Sequence, residues 1–158
     1  MPGEIRLTNR QETRSINLLL LKRITRFLIG EQFRRRQYEF GVHLVSAPEM
    51  ARVNQQFLNH AGSTDVITFD YAARGGDDIL CGEAFICIDD AVRQAREYHT
   101  TWQSELVRYL IHALLHLEGY DDLQPQARKK MKREEEAILK RTTEKFKIER
   151  LRKSATEG

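Results

Sequence analysis

Cysteine is scarce: the 158-residue chain contains only Cys81 and Cys87. Both fall in one segment of strand-like composition, where six residues at about 3.3 Å each hold them roughly 20 Å apart, beyond disulfide reach. A disulfide scaffold is excluded, and reduced, buried thiols are expected. No apolar run approaches the ~20 residues of a membrane-spanning helix. The N-terminus, carrying Glu4, Arg6, Arg10, Glu12 and Arg14, lacks the apolar core and small-residue cleavage site of a secretory signal. The expectation is a cytoplasmic protein with no membrane association. Internal repeats and linker-like stretches are also missing, so one compact domain is expected over 1–150, with a frayed tail over 151–158.

The chain is 41% hydrophobic and 31% charged, too apolar for wholesale disorder. A formal net charge of +3 conceals a pattern. Residues 1–36 hold nine Lys and Arg against three acids, residues 37–122 five against fourteen, and residues 123–158 twelve against six. Two basic ends flanking an acidic middle suit a protein that grips a polyanion while its centre holds a cation, although basic termini also serve solubility.

Short alternation at Glu4-Ile5-Arg6-Leu7 predicts an opening strand. Ser15 stands as an N-cap for a helix through Ile16, Leu20, Ile24 and Phe27 that ends at Gly30. A second strand follows from Tyr38 to Ser46, with His43 on its solvent face, and Pro48 opens a helix of about ten residues through Phe57. Leu58 to Thr64 reads as a loop. Val66, Ile67 and Phe69 form a third strand and Ile79 to Ile88 a fourth, a hairpin or a strand-and-loop unit across Gly75-Gly76-Asp77-Asp78. Asp89 or Asp90 caps the next helix, a broad-faced helix runs from near Ser104 to Gly119, and a last one from Pro125 to about Phe146. The order β-α-β-α-β-β-α-α-α predicts an α+β fold, a small mixed four-stranded sheet covered by helices.

The chemistry is concentrated in His112-Ala113-Leu114-Leu115-His116-Leu117-Glu118-Gly119-Tyr120-Asp121-Asp122. Residues four apart on a helix project from one face, so both imidazoles can share an ion. Gly119 is placed to end the helix in a left-handed turn that swings Asp122 back towards the rings. His112, His116 and Asp122 thus have the spacing of a three-ligand site with an open fourth position, as catalytic zinc requires. Glu105, Tyr109, His112 and His116 form one polar stripe on an otherwise apolar helix, and a metal would satisfy the two histidines. The competing reading pairs structural histidines with Asp121 or Asp122, and spacing alone leaves open which aspartate is the third ligand. A zinc peptidase of the H-E-x-x-H type is disfavoured, because Ala113 occupies the place of the general-base Glu.

The helix and turn, H-x-L-L-H-L-x-G-Y-D, resemble the YbeY family of metal-dependent, single-strand-specific endoribonucleases acting in ribosomal RNA maturation. Asn54-Gln55-Gln56-Phe57, Thr64-Asp65-Val66-Ile67-Thr68-Phe69 and Gly82-Glu83-Ala84-Phe85-Ile86-Cys87-Ile88 are similar to further family segments in the same order, across roughly residues 40–140. The resemblance implies a YbeY-like, zincin-like α+β domain with the metal site at the end of the central buried helix. Two positions depart from the family pattern: Asp122 matches its third ligand histidine, and Leu58 matches an arginine implicated in activity.

Carried over to this chain, the resemblance implies one Zn²⁺ per chain on His112, His116 and Asp122. Iron or manganese stay in play, since two histidines with one carboxylate also suit non-haem iron. His60, Thr64, Asp65 and Asp121 are the candidate catalytic residues: His60, or with it Asn59 or the Thr64 hydroxyl, as the donor to the phosphate in place of the missing arginine, Asp65 and Asp121 to orient the water or neighbouring groups. Single-stranded RNA, ribosomal RNA or the small ribosomal subunit is the implied partner, held by Arg34-Arg35-Arg36 and by Arg128-Lys129-Lys130 with Lys132-Arg133. Oligomeric state is left open. The alternatives are a ribosome- or RNA-binding factor that keeps the metal structurally without nuclease activity, and a metal hydrolase or oxygenase of small substrates.

Overall fold

The chain folds into a four-stranded mixed sheet with helices on both faces, seen in a computed structural model that describes residues 3–58, 64–71 and 79–154. In chain order the elements are β1 (Gly3–Arg10), α1 (Leu18–Phe27), β2 (Gln37–Val45), α2 (Ala47–Leu58), β3 (Val66–Asp70), β4 (Ile79–Cys87), α3 (Ile88–Tyr98), α4 (Trp102–Leu117) and α5 (Pro125–Lys145). The strand order is β1-β2-β4-β3. β1 and β4 run parallel to β2, and β3 is antiparallel to β4 with Ile67 opposite Phe85. The expected hairpin is therefore present, while its turn at Gly75 to Asp78 lies outside the described residues.

Alternation decides the two faces of the sheet. Phe40, Val42 and Leu44 of β2 and Leu80, Ala84 and Ile86 of β4 point into the main core with Leu21, Ile24, Leu106, Leu110 and Ile111 from α1 and α4. The opposite face, through Val45, Ile67 and Cys87, packs against Met50 and Val53 of α2. His43 belongs to this second face and is not the solvent-facing residue expected. Its ring stacks on Phe85 at 4.5 Å, and its Nε2 donates to Glu83 at 3.0 Å. Gly82 is required by close approach: a Cβ there would meet the Phe69 carbonyl oxygen at 2.6 Å and Leu117 at 2.8 Å.

Several helix boundaries differ from the sequence expectation for local reasons. Asn17, and not Ser15, caps α1 by accepting from the Leu20 N–H at 3.1 Å. Ile16 is drawn into an antiparallel bridge with Arg152, and the Ser15 carbonyl accepts from Lys153 N–H. The same contacts tie down the chain at 151–153, where Leu151 is fully buried; residues 155–158 lie outside the described set. After Phe27 the chain continues past Gly30 as a wide π-turn over Leu28–Gln32, which brings both Leu28 and Ile29 into the core. Neither Asp89 nor Asp90 caps α3, whose N-cap is Cys87. Asp89 instead accepts from the Ala47 N–H at the start of α2 and from the Thr13 hydroxyl. No helix among the described residues is long and apolar enough to cross a membrane.

Candidate metal centre

α4 is the central buried helix. Thr101 caps it by accepting from Ser104 N–H at 3.1 Å, so the helix begins at Trp102, two residues ahead of the expected start. Most of its length is enclosed, including Leu106, Leu110, Ile111, Ala113, Leu114 and Leu115. Its polar stripe faces a cleft and carries Glu105, Tyr109 and His112. Ala113 is fully buried, so the helix offers no carboxylate beside the first histidine.

The end of α4 sets the site. Gly119 adopts φ +101°, a left-handed conformation that a Cβ disfavours. Gly119 N–H reaches the His116 carbonyl and Tyr120 N–H the Leu115 carbonyl, each at 3.0 Å. This paired arrangement satisfies the last carbonyls of the helix and reverses the chain. Arg35 clamps the same corner through two bonds to Glu118, at 2.8 and 3.0 Å. One member of the Arg34-Arg35-Arg36 run expected to hold RNA is thus engaged within the protein.

The reversal brings Asp122 Oδ2 to 3.8 Å from His112 Nε2 and 4.0 Å from His116 Nε2. The three ligand atoms all lie within 4.8 Å of one another. A tetrahedral ion with bonds of about 2.0–2.1 Å needs its ligand atoms about 3.4 Å apart, so closing the set takes about half an ångström at Asp122 and up to about 1.4 Å at the widest pair. The remaining ring nitrogens support the fit. His112 Nδ1 donates to Glu135 Oε1 at 2.8 Å, and His116 Nδ1 donates to the Tyr120 carbonyl at 3.2 Å. With both protons fixed on Nδ1, both Nε2 lone pairs face Asp122, the tautomer that metal-binding histidines require.

Electrostatics differ between the two rings. Burial lowers the His112 pKa, but the hydrogen bond and charge of Glu135, with Asp65 and Asp122 beyond, outweigh it and the net direction is up. For His116, burial and then the neighbouring His112 charge dominate, and the direction is down. Glu135 is itself braced, its Oε2 lying 3.7 Å from Arg108, which also contacts Glu105 and Glu136. Glu135 escapes sequence reasoning because it sits on α5, 23 residues from His112. Its signal is present all the same: an acid within the apolar stripe Met131, Ile138 and Leu139 of α5.

The other candidates are distributed around the triad. Thr64 and Asp65 line a groove with His112, His116 and Asp122. Asp65 Oδ1 accepts from Val66 N–H at 2.8 Å and lies 3.5 Å from the Thr64 hydroxyl. Leu58 lines this groove too, at the end of α2 rather than in a loop, 44% exposed. Asp121 Oδ1 accepts from Leu123 N–H at 3.0 Å, a turn contact, and Asp121 is not part of the ligand cluster. His60 lies outside the described residues. On the α5 side, Arg128 Nε donates to the Asp122 carbonyl at 3.1 Å, and Lys130 stands over the Tyr120 ring.

A family description for endoribonuclease YbeY matches residues 6–143. Among similar curated proteins, the endoribonuclease YbeY of Chlorobium luteolum is 31% identical over 136 residues, covering 86% of this chain and 96% of its own. That of Elusimicrobium minutum is 34% identical over 110 residues, 68% of this chain and 77% of its own. The solution structure of TM1509 from Thermotoga maritima superposes with a TM-score of 0.67 at 25% identity, covering 96% of this chain and 97% of that one.

Proposed function

Because the chain belongs to the endoribonuclease YbeY family, we propose that it is a metal-dependent, single-strand-specific endoribonuclease that acts on ribosomal RNA during maturation and quality control of the small ribosomal subunit in the cytoplasm. The observation that carries the reading is the convergence of His112, His116 and Asp122 ligand atoms within 4.8 Å on the wall of an open groove. Those three residues would hold one Zn²⁺, with iron or manganese as the other ions the donor set admits. When bound, the ion supplies Lewis acidity, polarising a phosphoryl oxygen and lowering the pKa of the attacking water.

The protein's own groups do the rest. Glu135 and the Tyr120 carbonyl hold the two rings in register. Asp65 has one oxygen engaged by Val66 N–H, and its other oxygen orients the attacking water from the groove wall. The Thr64 hydroxyl donates to the phosphate as charge develops there, and His60 is a further donor from the preceding segment. Asp121 supports the turn that presents Asp122. Arg128 and Lys132 bind the RNA backbone electrostatically.

One observation favours a second reading. Leu58 lines the groove where the family pattern has an arginine, and a leucine supplies no cation to the phosphate. An RNA-binding factor with a structural metal and little nuclease activity fits that feature. Elemental analysis of chelator-free protein, with cleavage of single-stranded ribosomal RNA by wild type and His116→Ala, decides between them. About one zinc per chain and cleavage lost in the variant support the nuclease. Metal retained without cleavage by the wild type favours the binding factor, and cleavage that survives verified metal removal overturns the mechanism.

A further inference from the structure

A second cleft, of about 590 Å³, opens from the ligand triad towards α3 and shares Asp65, His112 and Asp122 with the groove in front of it. Its volume lies within the ~300–1,000 Å³ range of small-ligand pockets. One wall is a single face of α3, where Gln94 and Tyr98 stand four residues and therefore one turn apart. Tyr98 is 63% exposed, so its ring is open to a ligand. Gln94 Oε1 accepts from the Tyr109 hydroxyl at 2.6 Å, which fixes the amide so that its NH₂ can donate to a ligand. The floor carries Glu105, 3% exposed, accepting from the Thr100 hydroxyl at 2.9 Å. Arg128 and Lys132 border the same cleft from the first turns of α5.

The polarity of these walls determines which part of a nucleotide can enter. Glu105, Glu135 and Glu136 surround Arg108 and leave the interior rich in acceptors, which repels a phosphate. Cations at the border attract one. A nucleotide therefore fits with its phosphate towards Arg128 and Lys132 and its base inside, over the Tyr98 ring. Aromatic stacking of this kind takes any base, whereas an acceptor-lined floor prefers an edge that donates.

We propose that this cleft is the nucleoside subsite beside the scissile phosphate: the base stacks on Tyr98, Gln94 and the carboxylate floor read its edge, and a base with an exocyclic amino group is preferred to uracil. The inference rests on RNA being the substrate of the adjoining metal centre. It also supplies a physical source of single-strand preference, because a base must leave its stack and its partner to enter, at a cost of a few kcal/mol from a duplex.

The test uses the full chain and short oligocytidylate and oligouridylate of equal length, whose bases differ in the amino group and its tautomeric neighbour. Binding is followed by fluorescence anisotropy, with RNA cleavage by metal-loaded protein assayed alongside. Wild type should bind oligocytidylate several-fold more tightly than oligouridylate. Tyr98→Ala should weaken both by about 5- to 100-fold, the range of one lost stacking contact, while Tyr98→Phe retains binding and Gln94→Ala narrows the difference between the two. Unchanged unfolding midpoints and metal content show that these surface variants keep the fold. Wild-type binding of neither oligomer, or binding indifferent to Tyr98→Ala, overturns the subsite. Cleavage that persists with such indifference overturns the subsite alone. Tyr98-dependent binding by a metal-loaded chain that never cleaves RNA overturns the nuclease reading and leaves the subsite standing.

Discussion

Glu135 accepts a hydrogen bond from His112 Nδ1 at 2.8 Å across 23 residues of sequence. That contact joins α5 to α4 beside the candidate metal ligands. It fixes the imidazole tautomer and presents Nε2 to Asp122, while Arg108 steadies the other carboxylate oxygen.

If Glu135 orients His112, Glu135→Gln and Glu135→Ala should lower zinc affinity by about 10- to 100-fold, the usual effect of losing such a partner. Competition with a coloured chelator reads this directly. Equal affinity in wild type and both variants would falsify the orienting role.

The third ligand can be assigned by a matched pair. Asp122→Ala should abolish stoichiometric zinc, whereas Asp121→Ala, which removes only the turn contact to Leu123, should retain it. Asp122→His should keep one metal per chain, since imidazole and carboxylate both serve zinc. Elemental analysis of the three proteins suffices, and the reverse pattern for the two alanine variants would reassign the ligand.

Two glycines carry distinct constraints. Gly119→Ala places a Cβ at φ +101° and should cost about 1–2 kcal/mol, with weaker metal binding because the turn also carries Asp122. Gly82→Ala forces a Cβ against Phe69 and Leu117, an overpacking that should cost about 1–3 kcal/mol. Urea unfolding measures both, and zinc affinity per folded molecule should separate them, falling chiefly in the first.

Glu83 makes stability depend on pH. Burial pushes its pKa up, but hydrogen bonds from His43 and Tyr71 and the charges of His43 and Arg6 outweigh this, holding it below its ordinary value of 4.5. A depressed carboxylate stabilises the fold fully above the unfolded-state pKa, and that contribution is lost as pH falls through the lower folded value. Glu83→Gln should therefore lower the urea midpoint at neutral pH and flatten its decline below about pH 5. Parallel acid-side slopes in the two proteins would remove Glu83 from the account.

Leu58 tests whether the groove needs a cation. Leu58 is on the surface at the end of α2 and lines the groove with all three candidate ligands, so Leu58→Arg should fold normally. Cleavage of single-stranded RNA should rise by about tenfold or more through stabilisation of phosphate charge. Initial rates at fixed metal loading provide the readout; an unchanged rate would show that phosphate stabilisation comes from elsewhere.

Much of this protein was legible along the chain because the relevant interactions are local. Strand alternation and helical periodicity name the core faces directly, and among the described residues the β-α-β-α-β-β-α-α-α order is the observed one. His112, His116, Gly119 and Asp122 lie within eleven residues, so helix geometry and one left-handed turn suffice to bring the candidate ligands together. The boundary differences arise where a distant segment competes for the backbone, as Arg152 and Lys153 do at Ile16 and Ser15.

What only the tertiary structure decided involves partners separated by whole elements. Glu135 against His112, Arg35 on Glu118 and Asp89 beneath α2 each join segments whose relative placement depends on how the helices pack. The side-by-side clefts have the same origin, since Gln94, Tyr98, Arg128 and Lys132 meet only because α3 and α5 flank α4. Sequence by itself determined which residues could bind an ion, because ligand type and helical spacing are local properties. Packing determined how the imidazoles are oriented and what surrounds them, because hydrogen-bond direction and cavity shape depend on atoms far apart in the chain.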